Sequence, residues 1–288
     1  MAEVDLRPMT LGEVLDRTFH LYKNNFWLFA GIIALPLLIN LLFGVGLVVW
    51  NSPVTNAIRS GRGMDPANTI HLGGIILIRA LVAIVLYLTV IEVGHAATIF
   101  AVSDLYLGRA ASVRKAFANL RGRLLRLLGV AFLVLLIVGV GFIALIVPGI
   151  ILACRIGLAV PICMLEDESP AGAISRSMEL TKGFAGQMFL IMLLVWILSW
   201  VAGAFFQTPF IILATQRHAQ LPLALQILQQ LANFIPGVLV GPIGTIAFSL
   251  MYYNLRVRKE AFDLQHLMVA LGPGSGPVAA APGAPSTA

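Results

Sequence analysis

The sequence predicts an all-α protein, a polytopic membrane helix bundle with six transmembrane helices and additional amphipathic helices on the inner surface. Of its 288 residues, 59% are hydrophobic and only 11% are charged, whereas soluble domains carry about 25% charged residues. The apolar residues also form stretches near the about 20 residues that a helix needs to cross a bilayer. This composition excludes a soluble globule of this size and the secreted disulfide-rich, disordered and collagen-like classes.

Six stretches are long and apolar enough to be predicted as spans. Four of them contain no charged residue. The second span contains Glu92 and His95, and the fourth is short and contains Arg155. The predicted spans are, in order, residues 26–50, 72–102, 127–147, 150–165, 184–206 and 234–253.

The distribution of lysine and arginine predicts the orientation. Of the 19 such residues, the outer connections hold only Arg59, Arg62 and Arg217, and an excess of these residues marks the cytoplasmic side. Both termini are therefore predicted to be cytoplasmic, in a bacterial inner membrane. The basic surplus needs no nucleic acid to explain it, and membrane lipids with anionic headgroups at the inner face are the partners that it indicates. The basic residues predicted at that surface are Arg17, Lys23, Arg114, Lys115, Arg121, Arg123, Arg176, Lys182, Arg256, Arg258 and Lys259.

A short amphipathic segment precedes each outward crossing. The first, residues 10–24, opens with Thr10 and Glu13 at the spacing of a capping box. Similar segments occupy residues 112–123 and 170–182, and Gly183 follows the last. These segments predict a threefold repeat of surface helix plus transmembrane hairpin, with a chance match between the segments as the alternative.

The outer connections are predicted to differ from one another. Residues 51–71 read as a Gly-rich polar loop, and Pro148 with Gly149 as a tight turn. Residues 207–233 are predicted as a long loop, in which 221–231 could form an interfacial helix. The domain organisation that follows is a cytoplasmic N-terminus with its amphipathic helix (1–25), a six-span membrane domain (26–255), a basic cytoplasmic segment (256–271) and a disordered tail (272–288).

Motifs spread over the inner segments resemble a known family. They are Leu6-Arg7-Pro8, Leu11-Gly12-Glu13-Val14-Leu15-Asp16, Phe26, Pro161, Glu166, Ala173, Arg176-Ser177, Leu180-Thr181-Lys182-Gly183 and the ending from Tyr252 to Leu264. Over about residues 6–265 the chain resembles bacterial proteins of the glycerophosphoryl diester phosphodiesterase membrane-domain type. The resemblance implies an all-helical six-span domain that is sometimes fused to a phosphodiesterase and often stands alone. We expect no phosphodiesterase activity, since the sequence lacks that catalytic domain. Asn254 departs from the pattern, where an acid is expected.

An intramembrane polar cluster is the principal candidate site. Glu92 and His95 are three residues apart and so share one helix face. Arg155 lies at a matching distance from the inner boundary, and a charge left alone in lipid costs about 2.5–3.5 kcal/mol or more. We therefore predict a contact between Glu92 and Arg155 inside the bundle. Two interpretations stay open, a proton or anion site with His95 titrating near neutral pH, or a structural clamp that fixes helix pairing.

Two weaker patterns also allow alternatives. Pro36 in the first span and Gly237 with Gly241 in the last could break their helices around a substrate site, or could mark close helix packing, which we favour. The acidic run at 166–168 could bind a metal, but a solvated cap of the following helix is favoured.

Enzyme motifs are missing from the sequence, including serine-hydrolase, zinc-protease and nucleotide-binding patterns. We therefore expect no enzyme activity, no cofactor and no metal site. The predicted function is a non-catalytic integral inner-membrane domain, a scaffold or lipid-associated accessory protein. The alternative is a small transporter or channel that uses Glu92, His95 and Arg155. A water-accessible cavity at Glu92 would favour transport, and a sealed bundle would favour the scaffold.

Overall fold

The computed structural model describes residues 8–59, 66–217 and 222–260, and within these it contains helices and no strands. Six helices or helix pairs are long and apolar enough to cross a membrane, which confirms the predicted fold class and the number of spans. The helices are α1 (Leu11–Asn24), α2 (Phe26–Arg59), α3 (Pro66–Tyr106), α4 (Val113–Ala118), α5 (Leu124–Ala144), α6 (Ile146–Ile156), α7 (Ala159–Leu165), α8 (Pro170–Leu180), α9 (Ala185–Arg217) and α10 (Leu223–Glu260).

The short helices α1, α4 and α8 each precede a long helical hairpin, in the order that the predicted repeat requires. Each begins after a hydroxyl side chain that accepts a backbone N–H three residues later, which satisfies a donor that the first helical turn leaves open. The capping box of Thr10 and Glu13 is confirmed. Helix α4 is shorter than predicted, since it ends at Ala118 and the chain continues through a turn that includes Gly122, whose φ is +79°. Superposition of the three units stays a prediction.

The structure differs from three predictions about the outer connections between the spans. Helix α2 continues to Arg59 and α3 begins at Pro66, so most of the predicted loop 51–71 is helical. Helix α10 runs without interruption from Leu223, and no separate interfacial helix forms at 221–231. Extending an existing helix adds one hydrogen bond per residue without a new nucleation step. The turn between α5 and α6 lies at Leu145, and Pro148 sits in the first turn of α6, where its missing N–H leaves no bond unmade.

The predicted domain boundaries fall only partly within the described chain. Helix α10 passes through the predicted boundary at residue 255 and ends at Glu260. The predicted tail 272–288 and Arg62 in the outer connection lie outside the described residues.

The core lies at one end of the bundle. Residues of α1, α3, α7, α8 and the second half of α10 form one large buried cluster. The other halves of α2, α3 and α9 expose large apolar side chains, for example Leu42, Leu77 and Phe205. Exposed apolar surface of this extent marks a membrane or protein contact, and together with the six apolar helices it identifies a multi-pass membrane protein.

Close packing explains the glycines of α10. A Cβ at Gly237 would lie 2.9 Å from Leu37 Cδ1, and one at Gly241 would lie 3.4 Å from Ile33 Cγ2, so α10 approaches α2 along its glycine face. Helix α2 runs unbroken through Pro36, and α10 is likewise continuous. The packing interpretation is confirmed, and the broken-helix alternative is wrong.

Candidate functional site

Glu92 and His95 lie side by side on α3 and open into a cavity. His95 Nδ1 is 3.9 Å from Glu92 Oε2, and the two side chains remain 36% and 26% exposed, respectively. The cavity has a volume of about 310 Å³, is lined by α3, α7, α9 and α10, and is open on one side. The structure therefore brings together two of the three residues predicted for the intramembrane polar cluster.

The cavity walls are mostly apolar. Ile99, Val160, Val195 and Phe248 contribute hydrocarbon and aromatic surface, and the hydroxyl residues Ser199 and Thr245 add polar groups. The rest of the wall includes three glycines, which have no side chain to fill the space. It consists of Gly157, Gly241 and Gly244 together with Pro161 and Val240.

Two tryptophans of α2 indicate the depth of the cavity. Trp27 is 84% exposed, and the ring of Trp50 stacks with the Arg79 guanidinium at 5.0 Å. Tryptophan is typical of the two membrane interfaces, and these two lie about 34 Å apart along the helix, close to the thickness of a bilayer core. Glu92 is about 20 Å along α3 from Arg79. The carboxylate therefore lies between the two interfaces.

Arg155 does not contact Glu92, so that prediction is wrong. Its guanidinium donates to the Met178 carbonyl oxygen at 3.5 Å, and its own carbonyl accepts bonds from Ser177 Oγ and Thr181 Oγ1, each at 2.9 Å. The last carbonyls of a helix attract cations, and these bonds direct Arg155 to the end of α8. The hypothesis of a structural clamp required a contact between Glu92 and Arg155, and the structure does not contain it.

A second cavity of about 120 Å³ lies between α2, α3 and α10 and is also lined by His95 and Gly241. His95 thus borders both spaces, on the two sides of the contact between α3 and α10. Sequence spacing placed His95 beside Glu92 but gave no sign of this second cavity, because its walls come from helices far apart in the chain.

Basic and acidic residues at the core end form a network within the protein. Tyr252 Oη donates to Glu166 Oε1 at 2.9 Å, and Arg176 Nε is 3.4 Å from Glu166 Oε2. Arg176 also pairs with Glu260, which accepts from Arg256 Nε at 3.0 Å. The network joins the end of α7 to α8 and α10.

Most of the predicted headgroup-binding residues have partners inside the protein. Arg123 pairs with Asp167 at 2.7 Å, and Lys115 pairs with Asp104 at 2.9 Å. The guanidinium of Arg17 lies 4.9 Å from the centre of the Tyr106 ring. Arg258 donates to the carbonyl of Met9 at 2.6 Å, and Lys259 donates to the carbonyls of Glu179 and Lys182. Seven of the predicted residues are exposed, including three of those with partners, and they are Lys23, Arg114, Lys115, Arg121, Lys182, Arg258 and Lys259.

The acidic run at 166–168 is divided between separate partners. Glu166 joins the network with Arg176, whereas Asp167 turns towards Arg123 and Arg126. Asp167 has a φ of +56°, a left-handed conformation that aspartate tolerates better than most residues. Glu166 is only 16% exposed, so it is not the solvated cap that the sequence suggested. Among the described residues, no three metal-ligating side chains converge.

Asn254 makes an important contact that was not predicted from the sequence. Its fully buried side chain accepts from the Met9 N–H at 2.8 Å and donates to the Met9 carbonyl at 3.0 Å. An amide can make both bonds, whereas an ionised carboxylate can only accept. The departure from the expected acid at this position was the available signal.

Comparison with protein-family models, with curated proteins and with solved structures gives no match. The resemblance to the glycerophosphoryl diester phosphodiesterase membrane-domain type therefore stays a prediction.

Proposed function

We propose that this multi-pass membrane protein is a small carrier or channel that uses the cavity at Glu92 and His95, with both termini in the cytoplasm of a bacterial cell. The single observation that carries the proposal is a carboxylate that faces a cavity between the two interfaces and has, within the described part of the chain, a histidine but no lysine or arginine as its partner. Ionisable residues at such depth typically line substrate or ion pathways. Of the two hypotheses from the sequence, transport is the one that requires a cavity at Glu92, and access of water to that cavity is part of the proposal.

Protons are the simplest ions that this site could move. The Glu92 carboxylate and the His95 imidazole are close enough to exchange a proton through one water molecule. His95 also borders the smaller cavity, so a proton on its ring could pass between the two spaces. Arg155 has no part in this proposal because its guanidinium is bound to the end of α8.

Proton flux into vesicles tests the proposal. The full chain would be reconstituted in liposomes that enclose the pH dye pyranine, and a potassium diffusion potential would drive proton entry. Wild type should exceed empty liposomes, and Glu92→Gln should lower this excess at least tenfold. Glu179→Gln makes the same change at an exposed position on α8 and should match wild type. Flux equal to that of empty liposomes, or unchanged flux in Glu92→Gln, would overturn the proposal.

A non-catalytic scaffold or lipid-associated accessory is the second candidate. It is supported by the ion pairs that fix the core end and by the exposed basic residues Lys23, Arg114, Arg121 and Lys182. Mass spectrometry of lipids retained by the purified protein tests it. This candidate predicts that anionic lipids are enriched over zwitterionic ones and that combined Arg114→Gln and Arg121→Gln substitutions reduce the enrichment. Equal retention of both lipid classes would contradict it.

The proposed orientation can be tested separately. A cysteine in place of Arg121 should react with a membrane-impermeant thiol reagent in inside-out vesicles but not in intact cells. The native Cys154 and Cys163 are buried and should contribute little background. Labelling in intact cells would reverse the proposed orientation.

A further inference from the structure

We infer that the cavity at Glu92 and His95 binds an organic cation, a protonated amine with a compact apolar body. The inference rests on the proposed function because it concerns the same cavity, and it names the chemical class of the solute. Charge, wall chemistry and volume each support one part of it.

The charge of the site selects a cation. Glu92 is the only acidic residue among those that line the cavity, and no lysine or arginine lines it. Within the described part of the chain, its nearest ionisable partner is His95, at 3.9 Å. A carboxylate away from bulk water favours an opposite charge nearby. The protein itself does not supply a permanent positive charge there, so a cationic ligand would complete the site, and an anion would be repelled.

The walls select an apolar body. Beside the carboxylate lie Ile99, Val160, Val195 and the ring of Phe248, which favour hydrocarbon over a shell of water. An aromatic ring also attracts a cation at its face. A hydrated metal ion would leave these walls in contact with its water, whereas an amine with an apolar group would cover them.

The cavity volume limits the size of the ligand. About 310 Å³ corresponds to roughly ten water molecules at about 30 Å³ each, which lies near the lower limit for small-molecule pockets. A ligand of about ten non-hydrogen atoms fits this space. An ammonium group has three N–H donors, which the Glu92 carboxylate and the hydroxyls of Ser199 and Thr245 could accept.

Three probes of almost equal shape test the charge requirement. Benzylammonium, benzyl alcohol and benzoate would each be added to the detergent-solubilised full chain, and thermal unfolding would be followed by tryptophan fluorescence. A ligand that binds only the folded state raises Tm by an amount that grows with the logarithm of its concentration above its dissociation constant. Benzylammonium should raise Tm with this concentration dependence, and the alcohol and the carboxylate should have at least tenfold lower apparent affinity.

Variants locate the binding site. Glu92→Gln should weaken benzylammonium binding at least tenfold, whereas Glu179→Gln, the matched surface change, should leave it unchanged. Ser199→Phe retains the carboxylate but fills the cavity, and it should also abolish the shift in Tm. Ser199→Phe therefore tests where benzylammonium binds even if Glu92→Gln does not fold.

Equal stabilisation by benzylammonium and benzyl alcohol in wild type would overturn the inference, as would full retention of benzylammonium binding in Glu92→Gln or Ser199→Phe. The result is separable from the flux experiment. Selective binding without proton flux would support the ligand class and overturn proton transport. Glu92-dependent flux without selective binding would support transport and overturn the ligand class.

Discussion

Replacing Gly141 with alanine should weaken the hairpin of α5 and α6. A Cβ at this position would lie 3.0 Å from the Cα of Gly149 and 2.9 Å from Leu152 Cδ1. The leucine methyl group can rotate away, but the backbone at Gly149 can move only if the two helices separate. Gly139 lies on the same helix, and a Cβ there would have no neighbour within 4 Å. Gly139→Ala is therefore the matched control.

The magnitude follows from two opposing effects. Alanine favours a helix over glycine by about 1 kcal/mol, and this gain is common to both variants. Overpacking costs about 1–3 kcal/mol and applies only at Gly141. The variants should therefore differ by about 2 kcal/mol, which is roughly a 30-fold difference in the unfolding equilibrium.

Unfolding of the purified full chain in mixed micelles by increasing SDS, followed by far-UV circular dichroism, measures this difference. Circular dichroism suits the experiment because none of the four tryptophans lies in α5 or α6. The expected order of stability is Gly139→Ala at or above wild type, and Gly141→Ala below Gly139→Ala. If the two alanine variants unfold at the same SDS fraction, the close contact between α5 and α6 does not limit the stability of the hairpin.

Three further predictions concern other contacts. Asn254→Leu should lower stability by about 1–3 kcal/mol, because it leaves the buried N–H of Met9 unpaired. Asn254→Asp keeps the acceptor for this N–H but loses the donor to the Met9 carbonyl, so it should also be less stable than wild type; thermal unfolding compares the three proteins. Because Glu92 and Arg155 are not in contact, the effects of Glu92→Gln and Arg155→Gln on the free energy of unfolding should add within about 0.5 kcal/mol in a double-mutant cycle. A larger coupling energy would support the structural clamp between these two residues. Tyr22 donates to the Leu239 carbonyl at 2.7 Å, and burial raises the pKa of Tyr22 above its ordinary value of about 10. The folded protein therefore favours the protonated phenol, and wild type should lose stability relative to Tyr22→Phe as pH rises above about 10, measured by thermal unfolding from pH 8 to 11.

Features that depend on neighbouring residues could be predicted from the sequence. The capping box at Thr10 requires only two side chains three residues apart, and the six spans require only length and apolar composition. The glycines of α10 were also assigned correctly to packing, because small residues at a four-residue spacing form one helix face. Each of these patterns is complete within one segment of the chain.

Features that depend on distant segments could not be predicted in the same way. Counting residues from the inner boundary placed Arg155 opposite Glu92, on the assumption that both helices run straight through the membrane. The fourth span instead divides at Gly157 into α6 and α7, and the end of α8 offers carbonyls to the arginine. Local composition also predicted loops at the outer ends, but the long helices continue through most of these segments.

The acids at the core end and Glu92 in the membrane-spanning part differ in their basic partners, and this difference supports a functional role for Glu92. At the core end, acids such as Glu166, Asp167 and Asp104 have arginine or lysine partners within 3.4 Å. Among the described residues, Glu92 has only a histidine partner, at 3.9 Å, although it lies where an isolated charge costs about 2.5–3.5 kcal/mol or more. Stability alone would favour a glutamine or an apolar residue at this position. A carboxylate that faces open space is better explained by a proton or a cationic ligand that binds there and offsets the cost.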